Sequence, residues 1–372
     1  MKPDSDAMQI FITGASGLVG GDVLTRLLRA NGRAGARALV RSSAAWDRLA
    51  AALGPAAPRV EPVFGDITEP GLGLDAVSAQ RAAEGTTHVI HCGADTRFSQ
   101  TLANGRRVNR DGTAHVMEFA ASCPDLRRVV HVSTAFVAGR LTGLVPETEL
   151  PEVRSWVNAY EQSKHEAECV VRGTALPWVI VRPATLVCDG VDGRVTQVNA
   201  VHRALLLCRG GLAAMVPGTE DTPVDIVTTD HVAGATATLA GLDGIDGSTF
   251  HLCAGADAMP LGELLDRAFA WWGRDMRWRR RCVQRPVVTT LQTYRSFENA
   301  VAETGDARLR GITRSLSHFV PQLALPKRFD TSAARTVLGH GPPPVRAWLT
   351  AMLRDLDRVR PLRRDARHGR AA

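Results

Sequence analysis

Two side chains capable of proton transfer lie one helical turn apart near the middle of the sequence. Tyr160 and Lys164 occur in NAYEQSK, and on a helix their four-residue spacing puts both on one face. A phenol can donate a proton to an oxygen that is gaining charge, and a nearby ammonium lowers the phenol pKa towards neutrality. The chain has only two tyrosines, so this pairing is informative. It predicts a proton-donating pair suited to carbonyl reduction.

A hydroxyl-bearing residue precedes this pair in the sequence. Thr134 lies in HVSTA, directly after the apolar run LRRVVHV. A hydroxyl at the end of a strand can fix a carbonyl oxygen and stabilise the oxyanion that develops on it. We therefore predict that Thr134, Tyr160 and Lys164 form the catalytic group of a reductase.

The first apolar run of the chain turns into a helical pattern through closely spaced glycines. The segment TGASGLVG places Gly14, Gly17 and Gly20 three residues apart. Such glycines let the backbone approach a pyrophosphate, which the N-terminus of the following helix attracts. The segment predicts a dinucleotide-binding turn that contains Thr13, Gly14, Ser16, Gly17, Leu18, Val19 and Gly20.

The end of the second strand indicates which dinucleotide binds. NAD sites usually carry Asp or Glu there to bind the ribose 2′-hydroxyl, but this chain reads ALVRSS, with Arg41 followed by Ser42. A guanidinium pairs with a 2′-phosphate, so these residues predict NADPH, with Arg48 as a second cation. Asp66 and Ile67, after the third strand, fit an adenine pocket, and a helix N-cap is the alternative role for Asp66.

The elements that must position these residues alternate between strands and helices. Nearly continuous apolar runs separated by helical patterns predict an α/β fold with a doubly wound parallel sheet, the Rossmann architecture. We expect an NADP-binding domain at residues 8–185 that returns at about 223–252. A smaller, mostly helical substrate-binding domain is expected from residues 186–222 and 253–372, ending in a basic tail.

The order of these motifs resembles that of the extended short-chain dehydrogenases/reductases. The motifs that carry the resemblance, over residues 8–235, are TGASGLVG, LVRSS, GDIT, HCGADTRF, VNRDGT, HVSTAFVAG, YEQSK, VRPATLV and PVDIVTTDHVA. The resemblance implies that Thr134, Tyr160 and Lys164 are the catalytic triad. It also adds residues beside the cofactor, namely Cys92, Gly93, Ala94, Asn109, Pro183, Ala184 and Thr185.

Within that family the chain is most similar to the thioester-reductase branch. ALVRSS, HVSTAFVAG, YEQSKHEAE and the late KRFDTSAARTVLG carry this similarity. The branch contains fatty acyl-CoA reductases and terminal reductase domains of carboxylic acid reductases and non-ribosomal peptide synthetases. It implies NADPH-dependent reduction of an acyl thioester, bound to a carrier protein or to coenzyme A, to an aldehyde and in some members to an alcohol.

Other functions are compatible with parts of this pattern. An NADPH-dependent ketone or aldehyde reductase would use the same triad on a free small molecule. A nucleotide-sugar epimerase generally retains NAD, which Arg41 opposes, and Ala138 stands where many extended members carry tyrosine. A non-catalytic NADP(H)-sensing regulator usually lacks the Tyr/Lys pair that this chain keeps.

The formal net charge of +7 is concentrated in two segments. Residues 267–285 contain seven arginines against the single acid Asp275, and residues 354–370 contain seven arginines against three aspartates. Such segments favour acidic partners, such as an acyl or peptidyl carrier protein or the phosphates of coenzyme A, although a solvated face is the alternative. Trp271, Trp272 and Trp278 are expected in a helical core or an acyl pocket, and we predict no nucleic-acid partner.

Composition and local patterns also suggest the setting of the protein. The seven cysteines are scattered without a Cys-x-x-Cys pair, so neither a disulfide framework nor a metal site is expected. No apolar run is long enough to span a membrane and no signal peptide is recognisable, so we expect a cytoplasmic protein. By analogy with the family, helices of the nucleotide-binding domain could form a homodimer.

Overall fold

The computed structural model describes residues 8–150, 155–304, 306–307, 310–311, 313, 317 and 319–358. Within these ranges the strands are β1 Gln9–Thr13, β2 Gly35–Val40, β3 Val60–Phe64, β4 His88–His91, β5 Arg128–Val132, β6 Gly143–Val145, β7 Trp178–Pro183, β8 Thr185–Cys188, β9 Met215–Pro217, β10 Pro223–Val224, β11 Ile226–Thr228, β12 Ser248–Leu252, β13 Met259–Pro260, β14 Val287–Thr289 and β15 Lys327–Phe329.

Helices flank the strands and form most of the C-terminal region. The α-helices are α1 Leu18–Ala30, α2 Ser43–Leu53, α3 Ala76–Ala83, α4 Leu102–Gly105, α5 Gly112–Ala121, α6 Ala159–Arg172, α7 Ala200–Gly210, α8 Thr229–Gly241, α9 Leu261–Trp272, α10 Met276–Arg279, α11 Leu291–Glu303, α12 Val320–Leu323, α13 Ser332–Leu338 and α14 Val345–Leu356. Short 3₁₀ turns cover Gly54–Arg59, Pro70–Gly73, Ala135–Ala138 and Gly255–Asp257, and Arg106–Asp111 is π-helical.

Seven of these strands form one parallel sheet in the order β12-β7-β5-β4-β1-β2-β3. Ile10, Phe11 and Ile12 in β1 are almost completely buried because helices cover both faces of the sheet. After β3, at one edge of the sheet, the chain returns to the other side of β1 to form β4. The strand order therefore reverses between β1 and β4. Ligands of such sheets bind in the crevice beyond the strand ends at that point. The predicted Rossmann fold is confirmed.

The structure differs from the sequence prediction in several local features. The sequence did not identify α2 or α3. Helix α6 begins at Ala159, where the Asn158 side chain caps it. In the segment expected to return to the sheet, β12 joins the sheet, whereas β11 pairs only with β8. Side chains of the small β8–β11 sheet pack in two apolar cores, Val227 in that of the large sheet and Val187 and Ile226 in a second one.

The C-terminal region has its own apolar core. Trp348 and Met352 in α14 are fully buried against side chains of α7 and α9, and Trp272 is buried with them. However, β15 pairs with β6, and Phe329 packs in the core of the large sheet. This part of the predicted substrate-binding segment thus contacts the nucleotide-binding domain. The basic tail predicted at residues 354–370 lies outside the described residues from position 359 onward.

Candidate active site

The three predicted catalytic side chains line a single cleft of about 380 Å³, which we call the catalytic cleft. Thr134 follows the C-terminal end of β5, and Tyr160 and Lys164 lie one turn apart on α6. The Asn158 side chain accepts a hydrogen bond of 3.1 Å from the Glu161 backbone N–H, which fixes the first turn of α6. The Thr134 side chain interacts with the Tyr160 phenol and favours its ionised form. The fold therefore brings together groups that the sequence separates.

The pKa of the Tyr160 phenol differs from the sequence expectation. It is raised to about 12, because burial disfavours the phenolate more strongly than the Thr134 side chain favours it. The prediction that Lys164 lowers this pKa towards neutrality is not met, since the lysine interacts with other groups in this structure. At neutral pH the phenol keeps its proton, which is the form that a proton donor requires.

The Lys164 ammonium is buried beneath the cleft. Its Nζ donates to the Val132 carbonyl oxygen at 2.9 Å and lies 3.2 Å from His131 Nε2. Burial lowers the pKa of Lys164 to about 8, against the opposing effect of the Glu168 carboxylate. Burial and the Lys164 charge hold the pKa of His131 well below its usual range, so this imidazole is neutral and can accept a hydrogen bond from the lysine. Sequence reasoning missed this contact.

The glycine turn between β1 and α1 is shaped by close backbone approaches. Gly14 has a φ of +72°, and a Cβ atom there would lie 2.6 Å from the Gly93 nitrogen at the end of β4. A Cβ atom on Gly20 would lie 2.4 Å from the Gly14 carbonyl oxygen. Only glycine fits these two positions without displacing the backbone. The resulting cradle opens onto the N-terminus of α1, where the partial positive charge favours phosphate.

A larger cleft of about 770 Å³ continues from this turn towards the end of β2. Arg41 and Arg48 line it, as does Ser42, whose Oγ also caps α2 by accepting from the Ala45 N–H at 3.3 Å. Asp66 Oδ1 accepts from the backbone N–H of Thr68 at 2.9 Å, so its side chain stabilises a turn rather than a helix N-terminus. The residues present fit a dinucleotide.

All but one of the predicted cofactor residues line the two clefts. Those along the larger cleft are Thr13, Gly14, Ser16, Gly17, Arg41, Ser42, Arg48, Asp66, Ile67, Cys92, Gly93 and Ala94. Those along the catalytic cleft are Gly14, Gly17, Leu18, Val19, Gly20, Cys92, Ala94, Pro183, Ala184 and Thr185. Asn109 lies outside both linings. Its Nδ2 donates to Ser163 Oγ at 2.9 Å and to the Asp95 carbonyl oxygen at 3.1 Å, which fastens the loop after β4 to α6.

The structure adds residues that sequence reasoning did not assign to the site. Three phenylalanines line the catalytic cleft, and the Phe98 ring lies 5.5 Å from Tyr160, 5.9 Å from Phe136 and 6.3 Å from Phe319, between ring centroids. They come from distant parts of the chain, so no local pattern groups them. Arg97 and Arg107 also line the larger cleft. The catalytic cleft thus combines polar groups at its base with an aromatic wall.

The fold and the glycine cradle define a protein of the extended short-chain dehydrogenase/reductase class. Residues 12–236, more than half of the chain, match the family model described as male sterility protein, an NAD-binding family. The chain belongs to this family, which places it with the fatty acyl-CoA and thioester reductases.

Curated relatives match this chain over part of their length. Fatty acyl-CoA reductase wat of Drosophila melanogaster is 24% identical over 61% of this chain and 52% of its own length. The hybrid PKS-NRPS synthetase ucsA of an Acremonium species is 27% identical over 64% of this chain and 6% of its own length. The chain therefore spans about half of the first relative and a small part of the second.

Solved structures match nearly the whole chain. The terminal R domain of the myxalamid PKS-NRPS pathway superposes with a TM-score of 0.78 at 25% identity, over 95% of this chain and 91% of that domain. The UDP-glucuronic acid 4-epimerase of Bacillus cereus, in complex with NAD, has a TM-score of 0.65 at 17% identity, over 94% and 99%. The second likeness concerns the fold alone.

Two further structural findings concern metal ions and membrane-spanning helices. The described residues contain no group of three or more His, Cys, Asp or Glu side chains that could hold a metal ion. Among the helices of the described ranges, none has both the length and the apolar character that crossing a bilayer requires.

Proposed function

We propose that this chain is an NADPH-dependent reductase that converts an acyl thioester into an aldehyde and a thiol. The observation that carries the proposal is that Thr134, Tyr160 and Lys164 line one aromatic-walled cleft, which the glycine cradle also lines. Membership of a family with fatty acyl-CoA reductases and peptide-synthetase reductase domains supports the thioester as substrate.

In the proposed reaction each residue of the cleft has a defined task. Thr134 and Tyr160 orient the thioester carbonyl oxygen and stabilise its developing negative charge, and Tyr160 donates the proton to it. NADPH, when bound, supplies the hydride. When the tetrahedral intermediate collapses, its C–S bond breaks, its hydroxyl proton returns to Tyr160 as the carbonyl re-forms as an aldehyde, and the released thiolate takes up a proton from solvent. Per turnover, one thioester, one NADPH and one proton give an aldehyde, a thiol and NADP⁺.

The aromatic wall indicates the position of the acyl group. Phe98, Phe136 and Phe319 surround the space in front of Tyr160, so an apolar acyl chain placed there would exclude water from the carbonyl. A drier site strengthens the hydrogen bonds to the oxyanion. We therefore propose an acyl group that is apolar next to its thioester.

The preference for NADPH is proposed to depend on Arg41. Replacing Arg41 by alanine should raise the Kd of NADPH about 10- to 100-fold, because one charge-assisted contact to the 2′-phosphate is lost, while the Kd of NADH stays nearly constant. Fluorescence titration of both cofactors measures this. Arg29→Ala removes an exposed arginine of α1 outside the cleft and is the matched control. Equal weakening of NADPH and NADH by Arg41→Ala would contradict the assignment.

A pH dependence is expected from the buried lysine. The pKa of Lys164 is about 8, so the ammonium loses its proton as pH rises through this value, while Tyr160, with a pKa of about 12, stays protonated. If the ammonium assists catalysis, kcat/KM should fall about tenfold per pH unit above 8. Rates measured from pH 6 to 10 test this, and Lys164→Met should remove the inflection. An unchanged inflection in that variant would assign it to another group.

The proposed function is tested by following NADPH oxidation at 340 nm together with the appearance of free thiol. The panel contains acyl-CoA and acyl-carrier thioesters beside free ketones and aldehydes. Thiol release in step with NADPH consumption is the expected result, and two NADPH per thiol would indicate reduction on to the alcohol. NADPH consumption with free carbonyls alone would instead identify a small-molecule carbonyl reductase.

A further inference from the structure

A further cavity lies in the C-terminal region, outside the two clefts described above. It has a volume of about 420 Å³ and is formed where α7, α9 and α14 end beside α10. We call it the basic cavity, and its lining consists of Arg209, Trp271, Trp272, Arg274, Asp275, Arg277, Trp278, Arg281 and Asp357. The proposed reductase chemistry leaves this cavity without a role.

The carboxylates of the basic cavity are already engaged. Asp357 pairs with Arg209 Nε at 3.2 Å and accepts from Trp271 Nε1 at 2.8 Å. Asp275 accepts from the Arg277 backbone N–H at 2.8 Å and so caps α10. Within the part of the chain that the structure describes, no carboxylate lies within ion-pair distance of the Arg274, Arg277 or Arg281 guanidinium. The cavity therefore carries an excess of positive charge.

Other arginines of the 267–285 segment are neutralised outside the cavity. Arg267 pairs with Glu263 at 2.7 Å, and Arg285 pairs with Glu220 at 2.6 Å and with Asp266 at 2.8 Å. The excess charge that the sequence indicates over the whole segment is thus reduced at its two ends. A ligand with several negative charges would find uncompensated guanidinium groups at the cavity.

The aromatic part of the cavity is held in place by its neighbours. Trp278 Nε1 donates to the Arg209 carbonyl oxygen at 2.9 Å, and Arg281 Nη2 donates to the Gly210 carbonyl oxygen at 2.9 Å, which satisfies the end of α7. The guanidinium carbons of Arg274 and Arg354 lie 5.1 and 5.7 Å from the centre of the Trp271 ring. Flat rings and flat guanidinium groups offer stacking surfaces for a planar base.

Helix α7 connects the basic cavity with the catalytic cleft. Ala200 at its beginning lines the cleft, and Arg209 near its end lines the cavity, about 14 Å further along the helix axis at 1.5 Å per residue. The pantetheine arm of coenzyme A, from phosphate to sulfur, has the backbone length of about four residues, or about 14 Å when extended. This length is close to the rise of α7 between Ala200 and Arg209.

We propose that the basic cavity binds the phosphorylated nucleotide end of an acyl-CoA whose thioester occupies the catalytic cleft. The inference rests on the proposed function and names coenzyme A as the thiol carrier. Arginines pair with phosphate oxygens, and the tryptophan–arginine wall suits an adenine ring. A concave site of this size fits a small molecule, whereas docking of a carrier protein needs a surface of about 800 Å² on each partner.

The test compares one acyl group on two thiols. Wild-type kcat/KM is measured for octanoyl-CoA and for octanoyl-pantetheine, which lacks all phosphates and the nucleotide. We expect a preference for the CoA ester of about 100-fold or more, and Arg274→Gln/Arg277→Gln should reduce this ratio at least tenfold. Arg280→Gln removes the same charge from the same segment outside the lining, and its ratio should equal that of the wild type.

A binding measurement supplies an independent readout. Calorimetric titration with 3′,5′-ADP, in saturating NADP⁺ so that the dinucleotide cleft is filled, should show binding to the wild type and to Arg280→Gln but much weaker binding to the double variant. Equal kcat/KM for the two thioesters, or equal 3′,5′-ADP binding by all three proteins, would overturn the inference and leave thioester reduction intact. Absence of thiol release from every thioester would instead refute the proposed function.

Discussion

Replacing Tyr160 by phenylalanine is expected to lower kcat about 10³- to 10⁴-fold while leaving the Kd of NADPH within a factor of two. The phenol hydroxyl is the proposed proton donor, and it lies in a buried site that Thr134 also lines. The remaining ring would still pack against Phe98, so the shape of the cleft should be kept. Steady-state rates with a thioester substrate and a separate NADPH titration measure the two effects.

The chain offers a matched control for this substitution. Tyr294, the only other tyrosine, is also buried, but it lies on α11 and packs with Leu207 and Val320, outside both clefts. Tyr294→Phe removes the same hydroxyl and should keep the wild-type kcat. Retention of more than a tenth of wild-type activity by Tyr160→Phe would remove Tyr160 as the proton donor. A parallel loss of NADPH binding would indicate damage to the fold.

Features that depend on local spacing could be predicted from the sequence. Inner strands of the large sheet such as β1 and β7 are apolar runs because both of their faces are buried, and the glycine turn is recognisable because two of its positions tolerate no Cβ atom. Tyr160 and Lys164 could be paired because four residues separate them on one helix. Each of these signals lies within a short segment of the chain.

Features that depend on contacts between distant segments could not be predicted. Lys164 reaches His131 and the Val132 carbonyl because the end of β5 packs beneath α6, and the sequence suggested only that Lys164 lies near Tyr160. The His91 ring lies between the hydroxyls of Thr13 and Thr113, at 2.7 and 2.9 Å. These arrangements arise from tertiary packing, which leaves no periodic pattern.

The buried ion pair beneath the catalytic cleft is another such arrangement. Arg182 in β7 is fully buried, and its guanidinium contacts both oxygens of Glu168 at 2.9 and 2.7 Å. Ser133 Oγ donates to the same carboxylate at 2.6 Å. Glu168 lies one turn after Lys164 on α6, so its carboxylate links α6 to the end of β5 and to β7. This link positions the backbone that carries Thr134.

Replacing Glu168 by glutamine is therefore expected to lower the free energy of unfolding by about 3–5 kcal/mol, because the Arg182 charge would remain buried without its counter-charge. Urea unfolding at pH 7 measures this. Glu166→Gln, in the same helix, breaks a partly exposed pair with Arg106 and should cost about 1 kcal/mol or less. Similar losses in the two variants would contradict the assigned importance of the buried pair.

The effect of Glu168→Gln should also depend on pH in a defined direction. Burial alone would raise the pKa of Glu168, but the Arg182 charge and the hydrogen bonds from Arg182 and Ser133 hold it below its usual range. The carboxylate's contribution to stability is therefore present above the unfolded-state pKa of about 4.3 and is lost as pH falls through the lower folded-state value. The stability difference between wild type and Glu168→Gln should shrink in acid, whereas a difference that grew below pH 4 would show that the folded protein holds the protonated form of Glu168.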